Sequence, residues 1–383
     1  MNEPGEPAEL FAKLAREAEP DLLDGALLVS RLIDPAIDEG AARHEIDRLG
    51  GRLREACAGG NSAEEAIARV LFREEGFAGD AEEYDNPENS SVASVLLRRR
   101  GMPITLSIVV LEAGRRAGLD LAGIGLPGHF VVGGRDLPPG FYLDPFEGGA
   151  LCDEEALNRR VSSIFGSPVE LPPEAFAPDG ARAILVRVLL NLRRAWERRE
   201  RFDDAMTALA WAEALDPDEP AYARERGLLL LKAGRTAEAL SALDGYLALG
   251  RAEDEDAVRK LVQIVREQTE TAGEQEFLQT VPVERRIFSL EEARQLLPQV
   301  QELTSDAVFR YARLGDAEDA RDARESIVRD WARSIVSLGV EIKGLWLVDF
   351  DSGGGYYCWK YPEPALEFFH GYDEGFAGRL PLQ

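Results

Sequence analysis

Arg98-Arg99-Arg100-Gly101-Met102-Pro103-Ile104-Thr105-Leu106-Ser107-Ile108-Val109-Val110-Leu111 is the stretch on which the reading of this chain turns. Pro103 suits the first position of a helix, where its missing N–H costs nothing. The spacing predicts a helix from Pro103 to Ala117, stopped at Gly118. It is apolar on nearly every side, which places it at the centre of a domain. Beyond Gly118 the hydrophobic period switches to two. Leu119 to Leu126, His129 to Gly133 and Phe141 to Asp144 read as strands, with Arg135 to Gly140 as a turn. Pairing about Asp136–Leu137 sets His129 opposite Asp144. A buried helix followed by antiparallel strands makes this segment α+β.

Upstream, Asp21 to Leu32 and Ala41 to Ala58 have helical spacing, broken at Asp34-Pro35 and stopped at Gly59-Gly60. Ser62 with Glu65 forms a capping box for Ala63 to Arg73. Asn89 is expected to cap a short helix, Ser90 to Arg100. Downstream, 181–272 is purely helical. Ala205 and Ala239 stand 34 residues apart, as do Leu209 and Leu243, and Leu215 and Leu249. That period marks two tetratricopeptide repeats, followed by a capping helix, Glu253 to Thr269. With fewer than three repeats, the array is expected to lean on the first domain. Gly273 to Arg286 reads as a linker.

In the third segment, Ser289 with Glu292 is a second capping box. Helices Leu290 to Leu314 and Asp319 to Leu338 form a hairpin. Val340 to Phe350 and Gly355 to Lys360 are strands about Asp351-Ser352-Gly353-Gly354. The expected architecture is multidomain: 1–180, 181–272 and 286–383.

The chain has 383 residues and a formal charge of −26. Such an acidic surface argues against a main role in gripping nucleic acid or anionic lipid. Three cysteines cannot build a disulfide framework and do not cluster like a zinc site. Three histidines make any His-based site sparse. No signal peptide or membrane span is legible, so a cytoplasmic location and no cofactor are expected.

A His facing an Asp is the orienting half of a Cys-His-Asp triad. Asn89-Ser90, Arg98 to Ser107, Gly125-Leu126-Pro127-Gly128-His129-Phe130 and Leu143-Asp144-Pro145-Phe146-Glu147-Gly148-Gly149 resemble the SirB-type transglutaminase-like family, which commonly continues into tetratricopeptide repeats. The resemblance covers about Asp21 to Glu270 and implies a papain-like fold. Active transglutaminase relatives carry Gly-x-Cys about fifteen residues before the Gly that ends the central helix. Here Gly101-Met102-Pro103 stands at that place, so the resemblance implies a degenerate fold, a pseudoenzyme with a remnant His129 and Asp144. Its expected role is protein interaction or regulation, with a protein or peptide held by the repeats. The competing reading is a hydrolase or acyltransferase with Ser107 or Cys152 as nucleophile. Asn89, Arg187, Arg194 and Arg198 are the candidate binding residues. The arginines could hold an acidic partner or phosphate, or pair with the protein's own acids.

Phe288-Ser289-Leu290-Glu291-Glu292-Ala293, Leu338 to Gly344, Leu347-Val348-Asp349-Phe350, Tyr357-Cys358-Trp359-Lys360 and His370 with Gly375 to Arg379 resemble an uncharacterised bacterial domain family, over about Ile287 to Leu382. No activity follows from that resemblance. Asp349, Cys358, Glu363, His370 and Asp373 are polar residues among aromatics. Cys358, His370 and Asp373 are the candidate metal ligands, and a small-molecule site is the related alternative.

Overall fold

The structure, a computed structural model, describes residues 6–250, 254–280, 286–314, 320–372 and 379–382. The chain divides into two compact units, Met1–Val258 and Arg259–Gln383, and the division falls inside one helix. The first unit contains helices α1 (Glu6–Ala15), α2 (Leu22–Ile33), α3 (Glu39–Ala58), α4 (Ala63–Ile67), α5 (Val92–Arg98), α6 (Pro103–Ala117), α7 (Glu154–Phe165), α8 (Ala181–Glu197), α9 (Phe202–Leu215), α10 (Ala221–Lys232) and α11 (Thr236–Ala248). Helix α12 (Glu255–Thr280) crosses the division. Short strands β1 (Ala78–Gly79) and β2 (Arg100–Gly101) pair in parallel. Strands β3 (Leu121–Leu126), β4 (His129–Gly134), β5 (Phe141–Asp144) and β6 (Ala150–Asp153) form an antiparallel sheet in that order.

Helix α6 lies where the sequence predicts it. Pro103 is its first residue, and Gly118 closes it at φ 86°. Ile104, Leu106, Ile108, Val109 and Val110 are fully buried. Each such side chain contributes about 1.5–3 kcal/mol by leaving water. Helix α6 packs on α3 and β4. At the α3 crossing a Cβ on Gly50 would lie 2.4 Å from Arg116 Cβ, so only glycine allows the approach. Asp21 and Asp38 cap α2 and α3 by accepting the N–H of Asp24 and Ala41, each at 2.9 Å.

Four local expectations need correction. The helix after Ser62 keeps its capping box but is α-helical only to Ile67, and Ala68–Glu74 is π-helical. Ser91, not Asn89, caps the next helix, and Arg99 ends it in the left-handed region at φ 60°. Ala150–Asp153 adds an edge strand that the pattern did not disclose. The β4–β5 register pairs Val132 with Leu143, two positions from the expected one. The connection is not one symmetric turn. It holds two successive turns, with Leu137 N–H donating to Gly134 O and Phe141 N–H to Pro138 O. A shift of two leaves every side chain on its face.

Helices α8 to α11 form two antiparallel pairs. Ala205 and Ala239 are both fully buried, as are Leu209 and Leu243. Leu215 is buried while Leu249 is half exposed. Ile184, Leu185, Val188, Leu189, Leu192 and Trp196 of α8 belong to the same core as α2, α3 and α6. The first helix pair therefore shares the first domain's core, and residues 1–180 and 181–258 make one unit. Helix α12 runs through Gly273, so the linker expected from that residue is helical up to Thr280.

The second unit contains α13 (Leu290–Ala312) and α14 (Ala320–Ser337) with strands β7 (Glu341–Gly344), β8 (Leu347–Asp351), β9 (Tyr356–Lys360), β10 (Phe368–His370) and β11 (Leu380–Pro381). Residue 319, the expected start of α14, lies outside the described residues. The Ser289–Glu292 capping box forms, with Ser289 N–H donating to Glu292 at 2.8 Å. The strand expected over Val340 to Phe350 is two strands, folded back at Trp346 in the left-handed region. The β element is a five-stranded antiparallel sheet. Val348, Phe350 and Trp359 enter one core with Val300, Ile327 and Trp331 of the helices. Among the described residues no helix is long and apolar enough to cross a membrane.

Candidate functional site

His129 opens β4 directly after the tight turn through Pro127-Gly128, and Asp144 closes β5. In the observed register Asp144 lies beside Val131, so His129 is its diagonal neighbour on the same face. His129 Nε2 and Asp144 Oδ2 are 2.8 Å apart, with the side chains 4% and 1% exposed. Asp144 is held on its other side too. Its Oδ1 accepts the N–H of Phe146 at 3.0 Å and of Glu147 at 3.3 Å. Its carbonyl accepts Gly149 N–H at 2.8 Å. The carboxylate is thus saturated by an Asx-type turn and one imidazole.

Arg187 of α8 clamps the β3–β4 turn from outside. Its Nη2 donates to Leu126 O at 2.7 Å and to His129 O at 2.9 Å. The guanidinium also lies over the Phe130 ring. Asp179 sits beside it, with a carboxyl pushed up by burial and drawn back by Arg187. A Cβ on Gly125 would lie 2.2 Å from Asp179 Oδ2, so that strand position has no room for a side chain. Asp179 carries no local signature, because it is brought to Arg187 and to Gly125 only by the packing of α8 against the sheet.

Pro103 is buried at the head of α6. The Met102 sulfur before it receives contacts from Ser90 Oγ at 3.5 Å and Asn191 Nδ2 at 3.7 Å. Ser107 is fully buried and its hydroxyl donates back to Pro103 O at 2.8 Å. Cys152 lies on edge strand β6, paired with Tyr142, and its thiol points to Ala150 O at 3.9 Å. Burial, then the nearby Asp144, push that thiol above the ordinary range. The one side-chain hydrogen bond of His129 among the described residues is to Asp144.

Asn89 is fully buried. Its Nδ2 donates to Glu83 O at 2.7 Å, and its Oδ1 accepts from Arg98 at 2.6 Å. Asn89 thus props the loop that precedes α5. Arg194 and Arg198 are exposed on α8 and its end. With Glu197, Phe202 and Lys232 they line an open cavity of about 470 Å³. Arg198 pairs with Asp85. Most neighbouring arginines are also bonded within the chain. Arg182 donates to Leu215 O at 2.6 Å, and Arg193 pairs with Glu197 and Glu225 at 3.0 and 2.9 Å.

In the second unit Asp349, Cys358 and His370 meet. Their donor atoms lie within 4.8 Å of one another, and all three residues are buried. Asp349 pairs directly with Cys358 across β8 and β9, and Cys358 pairs with Phe368 on β10, two residues before His370. All three side chains therefore share one face, opposite Val348 and Trp359. Asp373, the acid expected here, lies outside the described residues. Glu363 is elsewhere, accepting from Arg379 and Lys360 N–H, both at 2.8 Å.

Residues 40–190 match the family model described as the transglutaminase-like superfamily, and residues 309–382 match that of an uncharacterized conserved protein family, DUF2203. A UPF0162 protein of Xylella fastidiosa is 38% identical over 192 residues, which is 48% of this chain and 66% of that protein. One from Vibrio cholerae is 30% identical over 217 residues, covering 55% of this chain and 78% of its own length. The F-box only protein 21 of Mus musculus is 34% identical over 83 residues, 22% of this chain and 13% of that protein. The chain thus spans about two thirds of the Xylella relative. No solved structure matches it.

Proposed function

This chain belongs to the UPF0162 family, and from that premise we propose that its first unit is a non-catalytic transglutaminase-like domain serving protein interaction. The observation that carries the reading is the head of α6. Proline fills the first helical position, and the two hydroxyls that follow it are spent on backbone carbonyls, that of Thr105 on Asn89 O and that of Ser107 on Pro103 O. A nucleophile needs its base within about 2.6–3.2 Å, and the hydrogen bonds of Ser107 and Cys152 go to backbone carbonyls instead. His129 and Asp144 then act as a buried polar brace joining β4 to β5. No observation favours Ser107 or Cys152 over this.

The partner is a protein or peptide, met by the helix pairs α8–α9 and α10–α11. Exposed Arg194 beside the open cavity offers it positive charge against an otherwise acidic chain, with Lys232 next to it paired to Glu197. Treatment with a fluorophosphonate probe and a panel of model amides and esters tests the first half. The expected result is no turnover and no adduct. An adduct on Ser107 that disappears in His129→Ala would overturn it. Photocrosslinking from position 194 in the native host tests the second half, with a discrete adduct lost in Lys232→Glu as the expected outcome.

A further inference from the structure

We infer that Asp349, Cys358 and His370 form a binding site for a divalent transition-metal ion of the zinc class. The argument starts at His370. Its Nδ1 lies 2.9 Å from Gly371 O, a group that only accepts, so Nδ1 carries a proton. In the neutral ring Nε2 then presents a lone pair, and it faces Asp349 Oδ2 at 3.0 Å. Two acceptors turned toward each other need something between them: a proton, on the ring or on the carboxyl, or a metal ion.

The rest of the cluster favours the metal. Asp349 is 1% exposed, and among the described residues its Oδ1 has no hydrogen-bond partner. A proton at either place on the Oδ2 side would leave Oδ1 without a partner, a costly state for a buried carboxyl group. The Cys358 thiol stands directly across the strand pair from it. Of the two cations nearby, Lys343 pairs with Glu341, and Arg379 pairs with Glu363 while also facing the Cys358 thiol.

One carboxylate, one thiolate and a neutral imidazole around a doubly charged ion sum to zero charge, which a buried site tolerates. Sulfur, nitrogen and oxygen donors together select zinc-like ions over magnesium or calcium. Around a tetrahedral zinc the donors stand roughly 3.3–3.6 Å apart, given bond lengths of about 2.0–2.3 Å. A cluster within 4.8 Å reaches that by small side-chain rotations. The Nδ1–H bond to Gly371 O is the outer contact that orients a metal-bound histidine. Binding is not a redox step: the Cys358 S–H bond breaks, the sulfur pair goes to the metal and the proton leaves to solvent.

The test uses the full chain stripped with dipicolinate and titrated with Zn²⁺ and Co²⁺. Uptake of one equivalent is expected, with a sulfur-to-cobalt charge-transfer band in the near ultraviolet. Cys358→Ser should abolish the band and weaken binding by more than about 100-fold, beyond the usual loss for an outer contact. Cys152→Ser should leave both unchanged. X-ray absorption on the zinc-loaded wild-type chain should find one sulfur at about 2.3 Å, whatever the variants do. A stripped chain that keeps its far-ultraviolet circular dichroism yet takes up neither ion would overturn the site. So would an absorption spectrum with nitrogen and oxygen scatterers alone.

Discussion

His129 Nε2 lies 2.8 Å from Asp144 Oδ2, and His370 Nε2 lies 3.0 Å from Asp349 Oδ2. Both pairs are buried on antiparallel sheets. Their surroundings differ. Asp144 spends its second oxygen on two backbone N–H groups and sits near the head of a turn that the chain closes around it. Asp349 leaves its second oxygen without a partner among the described residues and has a thiol across the strand. The first pair is complete as it stands and braces a fold. The second is complete only with something added. The lesson is that the His–Asp contact by itself tells little about function, and the unpaired atoms around it tell more.

The strongest way to break this comparison is to remove each acid in turn. Asp144→Ala leaves three donors without an acceptor in the core and should cost about 3–5 kcal/mol. Asp349→Asn in chelator-treated protein should change stability by less than about 1 kcal/mol, since its Oδ1 already lacks a partner among the described residues. Urea unfolding followed by circular dichroism measures both. Equal losses would erase the distinction.

The brace reading is sharpened at its outer support. Gly125→Ala drives a Cβ into Asp179 and Arg187 and should cost about 1–3 kcal/mol by overpacking. Thermal unfolding should show that drop, while Gly51→Ala, which meets nothing within 4 Å, should not fall with it.

The smallest effect concerns charge away from either pair. Hydrogen bonding to Arg48 and Arg99 outweighs burial and holds the Glu45 carboxyl at about 2. A lowered folded value means the stabilisation is full above the ordinary glutamate value and fades as the pH falls from about 4.5 to about 2. The pair is partly solvent-screened, so Glu45→Gln should cost only about 1 kcal/mol at pH 7. Unfolding curves of variant and wild type should converge as the pH approaches 2. A gap that persists there would contradict this origin.

How much of this was legible in the sequence follows the range of the interactions. Helix α6 could be read to both ends because Pro103 and Gly118 act locally. The Ser62 and Ser289 capping boxes were legible for the same reason. The β4–β5 register was missed by two because two linked turns, not one, set it. The face of His129 was still right, since a shift of two preserves side-chain direction. The fold-back at Trp346 carries no glycine at the residue that turns, so β7 and β8 read as one strand. Asp349 and His370 are 21 residues apart and meet only through the order β8-β9-β10, which no local pattern encodes.

The most direct measurement of the central claim is the alkylation rate of Cys152 by iodoacetamide against pH, in wild type and in His129→Ala. Burial and Asp144 raise that thiol, so the rate should be slow at pH 7, climb only at alkaline pH, and match between the two proteins. A fast plateau at neutral pH that vanishes in His129→Ala would mean a working thiolate–imidazole pair, and the non-catalytic reading would be wrong.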